Sequence, residues 1–326
     1  MKNRKHAIGI DLGGTWMRAA IFSREGALIS KRKEKVETRN KESITQQIVA
    51  LTVTLCQQNK VEIENLVGIG IASTGPLDIE KGELVKPVNL PFDSVPLKEP
   101  IEEQLHIPTF LVNDCTGAVL GEKKFGAGKG IDNLVYVTIG TGIGGGAIVD
   151  ANLLLGKDGD AVEIGHLTID YEGRLKCGCG KRGHWEAYCS GKNIPNFVRM
   201  RSKEVGQKTL GKSMLHSKQG NGLPNLSSEA LFDAAKRGDE FSFQLVNEIG
   251  LLNSIGFANV INAYDPSLIT VGGTVTLMNE RFILYPVKKH VKEYTVNRIP
   301  EIVVTPLGQD VGVYGAAAAA IEFTSP

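Results

Sequence analysis

Short apolar runs broken by glycine pairs and charged turns fill the first part of the chain. His6 to Asp11, Met17 to Ser23 and Ala27 to Lys35 are separated by Gly13-Gly14 and by Arg24-Glu25-Gly26. Runs of this length joined by tight turns predict a meander of adjacent antiparallel strands. Ile44, Ile48, Leu51 and Leu55 then recur at helical spacing, and the apolar run Leu66 to Ser73, closed by Thr74-Gly75-Pro76, predicts a strand after that helix. A further helix near Leu97 to Leu105 precedes a strand from Thr109 to Val112. Asn113-Asp114 sits at the carboxyl end of that strand, where open α/β sheets place ligand-binding groups.

The pattern then starts again. Leu134 to Ile139, a glycine-dense turn over Gly140 to Gly146, and Ala147 to Val149 predict a second hairpin that opens a second α/β unit. Residues Arg201 to Ser228 are polar and glycine-containing and are read as a helix end plus a mobile loop. A long helix centred on Leu245 to Ile261 follows, then a buried strand from Ser267 to Val271 ending at Gly272-Gly273. Glu301 to Thr305 is a last strand, and the alanine-rich helix Gly312 to Phe323 is expected to return to the first lobe. At 326 residues the chain exceeds one typical core. The expected division is a small α/β domain over 1–115, completed by 310–326, and a large α/β domain over 116–309.

Charge narrows the partners. Lys plus Arg number 37 against 36 for Asp plus Glu, which leaves no overall electrostatic footprint for nucleic acid or an anionic membrane. No apolar run reaches membrane-spanning length. Five cysteines, an odd set, and a start that enters a strand pattern without a signal-type segment lead us to expect a reduced, cytoplasmic setting.

One stretch is dense in ligating groups. Glu163-Ile164-Gly165-His166 is followed by Cys177-Gly178-Cys179-Gly180-Lys181-Arg182-Gly183-His184-Trp185-Glu186. Thiolate and neutral imidazole are preferred Zn²⁺ ligands, and a closed shell of four such groups is a structural site. The glycines at 178, 180 and 183 suit a knuckle with unusual backbone angles. Zinc would then make a rigid loop that presents Glu163 and Glu186. Ordinary reduced thiols and surface or core histidines are the competing reading.

Three glycine sites and one aspartate carry the remaining chemistry. Asp11-Leu12-Gly13-Gly14-Thr15 lies between two strands, where backbone N–H groups can approach phosphate oxygens. Asp11 would act there through Mg²⁺ or its waters. A plain hairpin turn explains the same glycines. Thr138 to Gly146 holds five glycines in seven residues from Gly140, which would weaken a strand unless something approached closely. No Walker loop or dinucleotide fingerprint is present. Gly272-Gly273-Thr274 is either a nucleoside contact or a strand-to-helix turn. Asp114 is either a general base that takes a proton from an alcohol or the cap of a helix beginning near Thr116.

Taken in order, these motifs resemble the ROK family of sugar kinases and related repressors, within the actin-like ATPase group. Asp11 to Thr15 and Thr138 to Gly146 match the two phosphate motifs, Asn113-Asp114 the base, Gly272-Gly273 the adenosine region and Glu163-Ile164-Gly165-His166 the ExGH sugar motif. The resemblance implies a two-lobed actin-like, ribonuclease H-like fold with an interlobe cleft and a zinc-binding loop, whose lobes close on the sugar. It also implies ATP, Mg²⁺ and Zn²⁺ as cofactors. Ser73, Gly75, Asn89, Asn113, Asp114, Glu163, His166 and Glu186 would line the sugar pocket. Asp11, Gly13, Gly14, Thr15, Thr141, Gly142, Gly272 and Gly273 would hold the nucleotide, and His166, Cys177, Cys179 and His184 the zinc. The family's CxCGxxGC becomes here a pattern with His184 in place of a third cysteine, and Asn89-Leu90-Pro91-Phe92 departs from the Gly then Trp that follow the proline in family glucokinases.

The implied activity is phosphorylation of a hexose 6-hydroxyl, with Asp114 as base and glucose as the first choice. Kinases of N-acetylglucosamine, N-acetylmannosamine or fructose are alternatives, as is a non-catalytic sugar-binding regulator. A repressor of the family would need a helix-turn-helix before Asp11, which only ten residues precede. A homodimer or homotetramer is the expected assembly.

Overall fold

The computed structural model describes residues 5–87, 89–206, 210–216, 223 and 226–324. The chain divides into two compact units, one made of Met1–Tyr136, Gly146–Val162 and Thr305–Pro326, the other of Val137–Gly145 and Glu163–Val304.

In the first unit the meander forms as its short runs and tight turns predict. β1 (His6–Leu12), β2 (Trp16–Ser23) and β3 (Leu28–Lys35) are consecutive antiparallel strands. β4 (Leu66–Ser73) pairs parallel to β1, and β8 (Thr109–Asn113) parallel to β4, which gives the order β3-β2-β1-β4-β8. On one face Ile8, Ile10, Met17 and Ile21 pack against Ile44, Ile48, Leu51 and Leu55 of α1 (Lys41–Gln58). α2 (Lys98–Leu105) adds Ile101 to the same core.

The other face receives the last helix, numbered α9 (Val311–Thr324), through Val313, Ala317 and Ala320. The contact is backbone-close. A Cβ on Gly9 would stand 2.2 Å from the Val313 carbonyl oxygen, and one on Gly70 1.8 Å from that of Ala316. α3 (Asp114–Lys124) lies against the same helix, with a Cβ on Gly121 falling 2.9 Å from the Gly315 nitrogen. Alanine and glycine are thus selected by approach distance rather than by helix propensity. A small sheet of β5 (Leu77–Asp78), β6 (Glu83–Val85) and β7 (Ser94–Pro96) was not anticipated, because strands of two or three residues show no periodicity.

The second five-stranded sheet has the order β11-β10-β9-β12-β13, with β9 at Leu134–Ile139, β10 at Ile143–Val149, β11 at Asn152–Leu153, β12 at Leu268–Gly272 and β13 at Glu301–Val304. The expected turn over Gly140 to Gly146 is therefore corrected. Only 140–142 turns, and the later glycines lie inside β10. Gly146 has a local reason, since a Cβ there would lie 2.3 Å from the Cys115 carbonyl oxygen. After α4 (Glu186–Cys189) and α5 (Ile194–Ser202), the mobile loop expected over 201–228 falls partly outside the described residues. α6 (Ser228–Lys236) and α7 (Glu240–Tyr264) follow; α7 runs beyond the predicted helix at both ends. α8 (Thr274–His290) begins directly after Gly273. Among the described residues no helix is long and apolar enough to cross a membrane.

Candidate active site and metal centre

The first unit places two carboxylates at the carboxyl ends of parallel strands β1 and β8, which flank β4. Asp11 lies in β1 opposite Arg18 of β2, whose Nη1 donates to the Asp11 carboxylate at 2.9 Å. The Gly13 N–H donates to the Trp16 carbonyl at 3.1 Å, so Gly13 to Thr15 do form a hairpin turn. Neither glycine has a left-handed backbone. Gly14 serves close approach instead, because a Cβ there would fall 2.3 Å from Asn89 Cβ. The turn and the exposed Asn89 are thus brought together. A Cβ on Gly312, in the first turn of α9, would meet the Asp11 carboxylate at 2.7 Å. Burial raises the Asp11 pKa; Arg18 opposes this and Asp310 adds to it.

Asp114 opens α3 at the end of β8. The alternative reading of Asp114 as cap is corrected: Asn113 is the cap, its side-chain oxygen accepting from the N–H groups of Cys115 at 2.9 Å and Thr116 at 3.4 Å. The Asp114 carboxylate also accepts from Cys115 N–H, at 2.8 Å. Its pKa is raised, by burial first and by the Asp11 charge as well, while the Cys115 hydrogen bond works the other way. A carboxylate with raised basicity beside a second acid is a form common to catalytic sites. Ser73 is buried and its hydroxyl donates to the Leu12 carbonyl at 3.0 Å, tying β4 to β1. Gly75 precedes Pro76 through a cis peptide bond.

The second unit holds the ligating cluster. One donor atom from each of His166, Cys177, Cys179 and His184 lies within 4.8 Å of all the others. His166 Nδ1 is 3.8 Å from Cys177 Sγ, and His184 Nδ1 is 3.3 Å from Cys179 Sγ. Tetrahedral Zn²⁺ with bonds of about 2.0–2.3 Å needs ligand atoms about 3.3–3.8 Å apart. The residues fit the ion with little movement. The knuckle between them is backbone-made: Cys177 N–H donates to Lys181 at 2.8 Å and Gly180 N–H to Cys177 at 3.0 Å. Gly180 and Gly183 have φ of 90° and 77°, as the reading of the knuckle required, whereas Gly178 stays outside the left-handed region. Burial pushes the Cys177 thiol up to about 12 and lowers His184, with His166 adding to the latter. The imidazole is therefore available neutral, and the thiol awaits a cation to lose its proton.

Glu186 ties this cluster to the second glycine loop. Its carboxylate accepts from Ile143 N–H at 2.9 Å and lies 3.4 Å from Cys177 Sγ. A Cβ on Gly142 would meet that carboxylate at 2.6 Å, and one on Gly165 would meet the Ile143 carbonyl at 2.0 Å. The glycine of the ExGH motif thus allows the motif to lie on the start of β10. Glu163 precedes the three-residue helix Ile164–His166 and stands 3.6 Å from His166 Nε2. Gly273 has φ of 85°, and a Cβ there would fall 2.4 Å from the Ile139 carbonyl. Thr141 is exposed; its carbonyl, like that of Gly140, accepts from the 191–192 backbone, at 3.2 and 2.7 Å.

Sequence reading missed two supports. Trp185 is fully buried and its indole donates to Asn253 at 2.8 Å, fixing the residue before Glu186. Asp170, buried beneath the loop, accepts from the Tyr188 hydroxyl and from Arg174 Nε at 3.1 Å. Burial would raise its pKa, but these hydrogen bonds hold it below the usual carboxylate range. No motif announces either one, since both depend on tertiary contact.

The ROK family model matches residues 7–322, and the chain belongs to that family. It is 33% identical over 315 residues to a glucokinase of Thermotoga maritima, covering 95% of each chain. A ROK hexokinase from Thermus thermophilus is similar with a TM-score of 0.81 at 27% identity, covering 98% of this chain and all of the other. A ROK family glucokinase from Streptomyces griseus, solved with glucose and AMPPNP, gives a TM-score of 0.73 at 30% identity over 96% of this chain and 98% of its own. The two-sheet α/β architecture is that of these kinases.

Proposed function

We infer that this chain is an ATP-dependent sugar kinase that transfers a phosphoryl group to the 6-hydroxyl of a hexose, with glucose as its substrate. The observation that carries this reading is the Asp11 and Asp114 pair at the ends of β1 and β8, two acids of raised pKa in a chain whose relatives include glucokinases. In this reading Asp114 orients the sugar hydroxyl and accepts its proton, while Asp11 faces the polyphosphate. Bound Mg²⁺ supplies neutralisation of the phosphate charge. Gly14 and Thr15 present backbone N–H groups, while that of Gly13 closes the turn on Trp16, and Asn89 is held beside them by the close approach at Gly14.

His166, Cys177, Cys179 and His184 are proposed to hold a structural Zn²⁺, supported by their mutual distances and S₂N₂ donor set. Glu163 and Glu186 are proposed as readers of sugar hydroxyls on the loop so fixed. The free thiols of all five cysteines support a cytoplasmic setting. A homodimer or homotetramer is proposed from the family alone and is checked by light scattering.

The test is ADP release with a panel of hexoses. Turnover highest on glucose is expected. Faster turnover on an N-acetylhexosamine or fructose would reassign the sugar, and no sugar-dependent ADP release would remove the kinase reading.

A further inference from the structure

Away from both acids, the first unit opens into a cavity of about 780 Å³, within the range of about 300–1,000 Å³ that small organic ligands occupy. Its walls are the last turns of α3 and α9, the turn that follows α3 and the β10–β11 hairpin, all within the first unit. The lining is largely apolar. Leu120, Ile148 and Ala318 are nearly wholly buried, Leu153 is half-buried, and Phe323 is 38% exposed with its ring tilted on that of Phe110, the centroids 5.8 Å apart. Hexose phosphorylation leaves this cavity without a task.

Three lysines line the cavity, and two of them are committed. Lys123 Nζ donates to the Ile131 carbonyl at 2.6 Å and to Asp132 at 2.9 Å, and Lys124 pairs with Glu322 at 3.4 Å. Both lie in the last turn of α3, where cations offset the helix dipole. Lys129 lies beyond the helix and has no acid partner among the described residues. Its backbone is nonetheless held. The Ile131 N–H donates to the Gly128 carbonyl at 3.0 Å, the Gly128 N–H to the Glu122 carbonyl at 3.0 Å, and Gly130 takes a left-handed φ of 76°. One uncommitted cation at an apolar lining calls for a single negative charge on an apolar body. A polar phosphate ester would bring more charge than Lys129 neutralises and would leave the apolar surface unfilled.

We propose that this cavity is an effector site for an organic monocarboxylate with an apolar body, of which a fatty acid is the plain example: the carboxylate pairs with Lys129, and the chain lies against Leu120, Leu153 and Phe323. The regulation rests on the kinase reading above. α3 begins with Asp114, and α9 sets Gly312 against the Asp11 carboxylate, so the two helices that wall the cavity also bear on both acids. They meet without side chains between them, since a Cβ on Gly315 would fall 2.3 Å from the Gly117 carbonyl. The 11 residues of α3 carry the connection over about 16 Å. An occupant that touches both helices favours the seating described here over any in which they have shifted, and so opposes movement of the acids during turnover.

Titration calorimetry of the full chain with decanoate, kept below its micelle-forming concentration and without sugar or ATP, reads the site directly. Saturable binding is expected, weaker as salt is added, and saturation should lower kcat on glucose about threefold. Lys129→Glu exchanges an attraction for a repulsion and should weaken decanoate about tenfold, the size of a change of about 1.4 kcal/mol, while binding of neutral decanol and basal turnover stay within about twofold, which also verifies folding. Phe323→Ala should weaken decanoate and decanol alike. Absence of saturable binding would overturn the site, as would equal losses of decanoate and decanol in Lys129→Glu. Decanoate that dissociates an oligomer in light scattering would also overturn it, by giving this face to a second copy of the chain. Binding with unchanged kcat would overturn the regulation. A chain that binds decanoate yet releases no ADP with any hexose would remove the kinase reading, and the regulation with it, while the binding site stands.

Discussion

Asp11 stands in a strand of a regular sheet and Asp114 opens the helix that follows another strand of it, whereas His166, Cys177, Cys179 and His184 stand on a stretch whose only order is a three-residue helix, two isolated bridges and a knuckle. In the first unit the backbone ladder fixes the spacing of the acids, and no added group is needed to hold them. In the second, few hydrogen bonds of the regular kind are available, so position has to come from side chains: a four-ligand cluster, the Asp170–Tyr188–Arg174 network and the buried Trp185. The lesson is that an irregular segment can be as exact as a strand end if it is cross-linked. It is then sensitive to whatever removes the cross-link.

The largest expected effect separates the two by kinetics. Asp114→Ala should lower kcat by about 10²–10⁴ with little change in sugar KM or zinc content. A variant that retains turnover, or loses zinc, would break the division of labour. Because burial raises the Asp114 pKa in the folded chain, its contribution to stability is present below the ordinary carboxylate range and is lost as pH rises through the raised value. Asp114→Asn should therefore melt higher than the parent at neutral pH, and the gap should close in acid.

Next in size is removal of the metal. Stoichiometric zinc is expected by metal analysis, and Cys177→Ser or chelation should raise the sugar KM about 10–100-fold with a smaller change in kcat. Full metal occupancy in Cys177→Ser would dismiss the ligand set. Gly165→Ala should destabilise the fold by about 3 kcal/mol, read by denaturant unfolding, because its Cβ would lie 2.0 Å from the Ile143 carbonyl. A neutral result would mean that the ExGH segment can lift off β10.

The smallest effect concerns the support beneath the loop. Tyr188→Phe removes a hydrogen bond to Asp170 and should cost about 1.5–3 kcal/mol, the range for bonds to charged groups. Asp170 is held below the usual carboxylate pKa, so its stabilisation is present above that range and is lost as pH falls through the depressed value. The Tyr188→Phe deficit should accordingly shrink in acid. A deficit independent of pH would assign the loss to packing.

Much of this was legible in the residues, for reasons that differ between the regions. The meander and the strands at 66–73 and 109–113 follow from short apolar runs between turns, β4 being buried along its whole length, and the helix bearing Ile44 to Leu55 follows from its helical spacing. The metal cluster was legible from donor chemistry alone. The glycines misled where composition was read as conformation: of the turn expected over Gly140 to Gly146 only 140–142 turns and the rest lies in β10, and a partner 43 residues away, such as Glu186 for Ile143, has no local signal. Asn113 took the capping role assigned in one reading to Asp114 because the helix begins earlier than near Thr116.

The seating of α9 against Gly9, Gly70 and Gly121 also constrains the order in which the protein can be made. The first unit draws its closing helix from residues synthesised after those of the second, and until then Ala7, Ala20 and Phe22 lack their covering layer. A ribosome delivers the amino end first and adds residues in sequence. The opening sheet must therefore wait, half covered, for nearly the whole of translation, and its apolar side is a surface that a chaperone would find on the nascent chain before the enzyme exists.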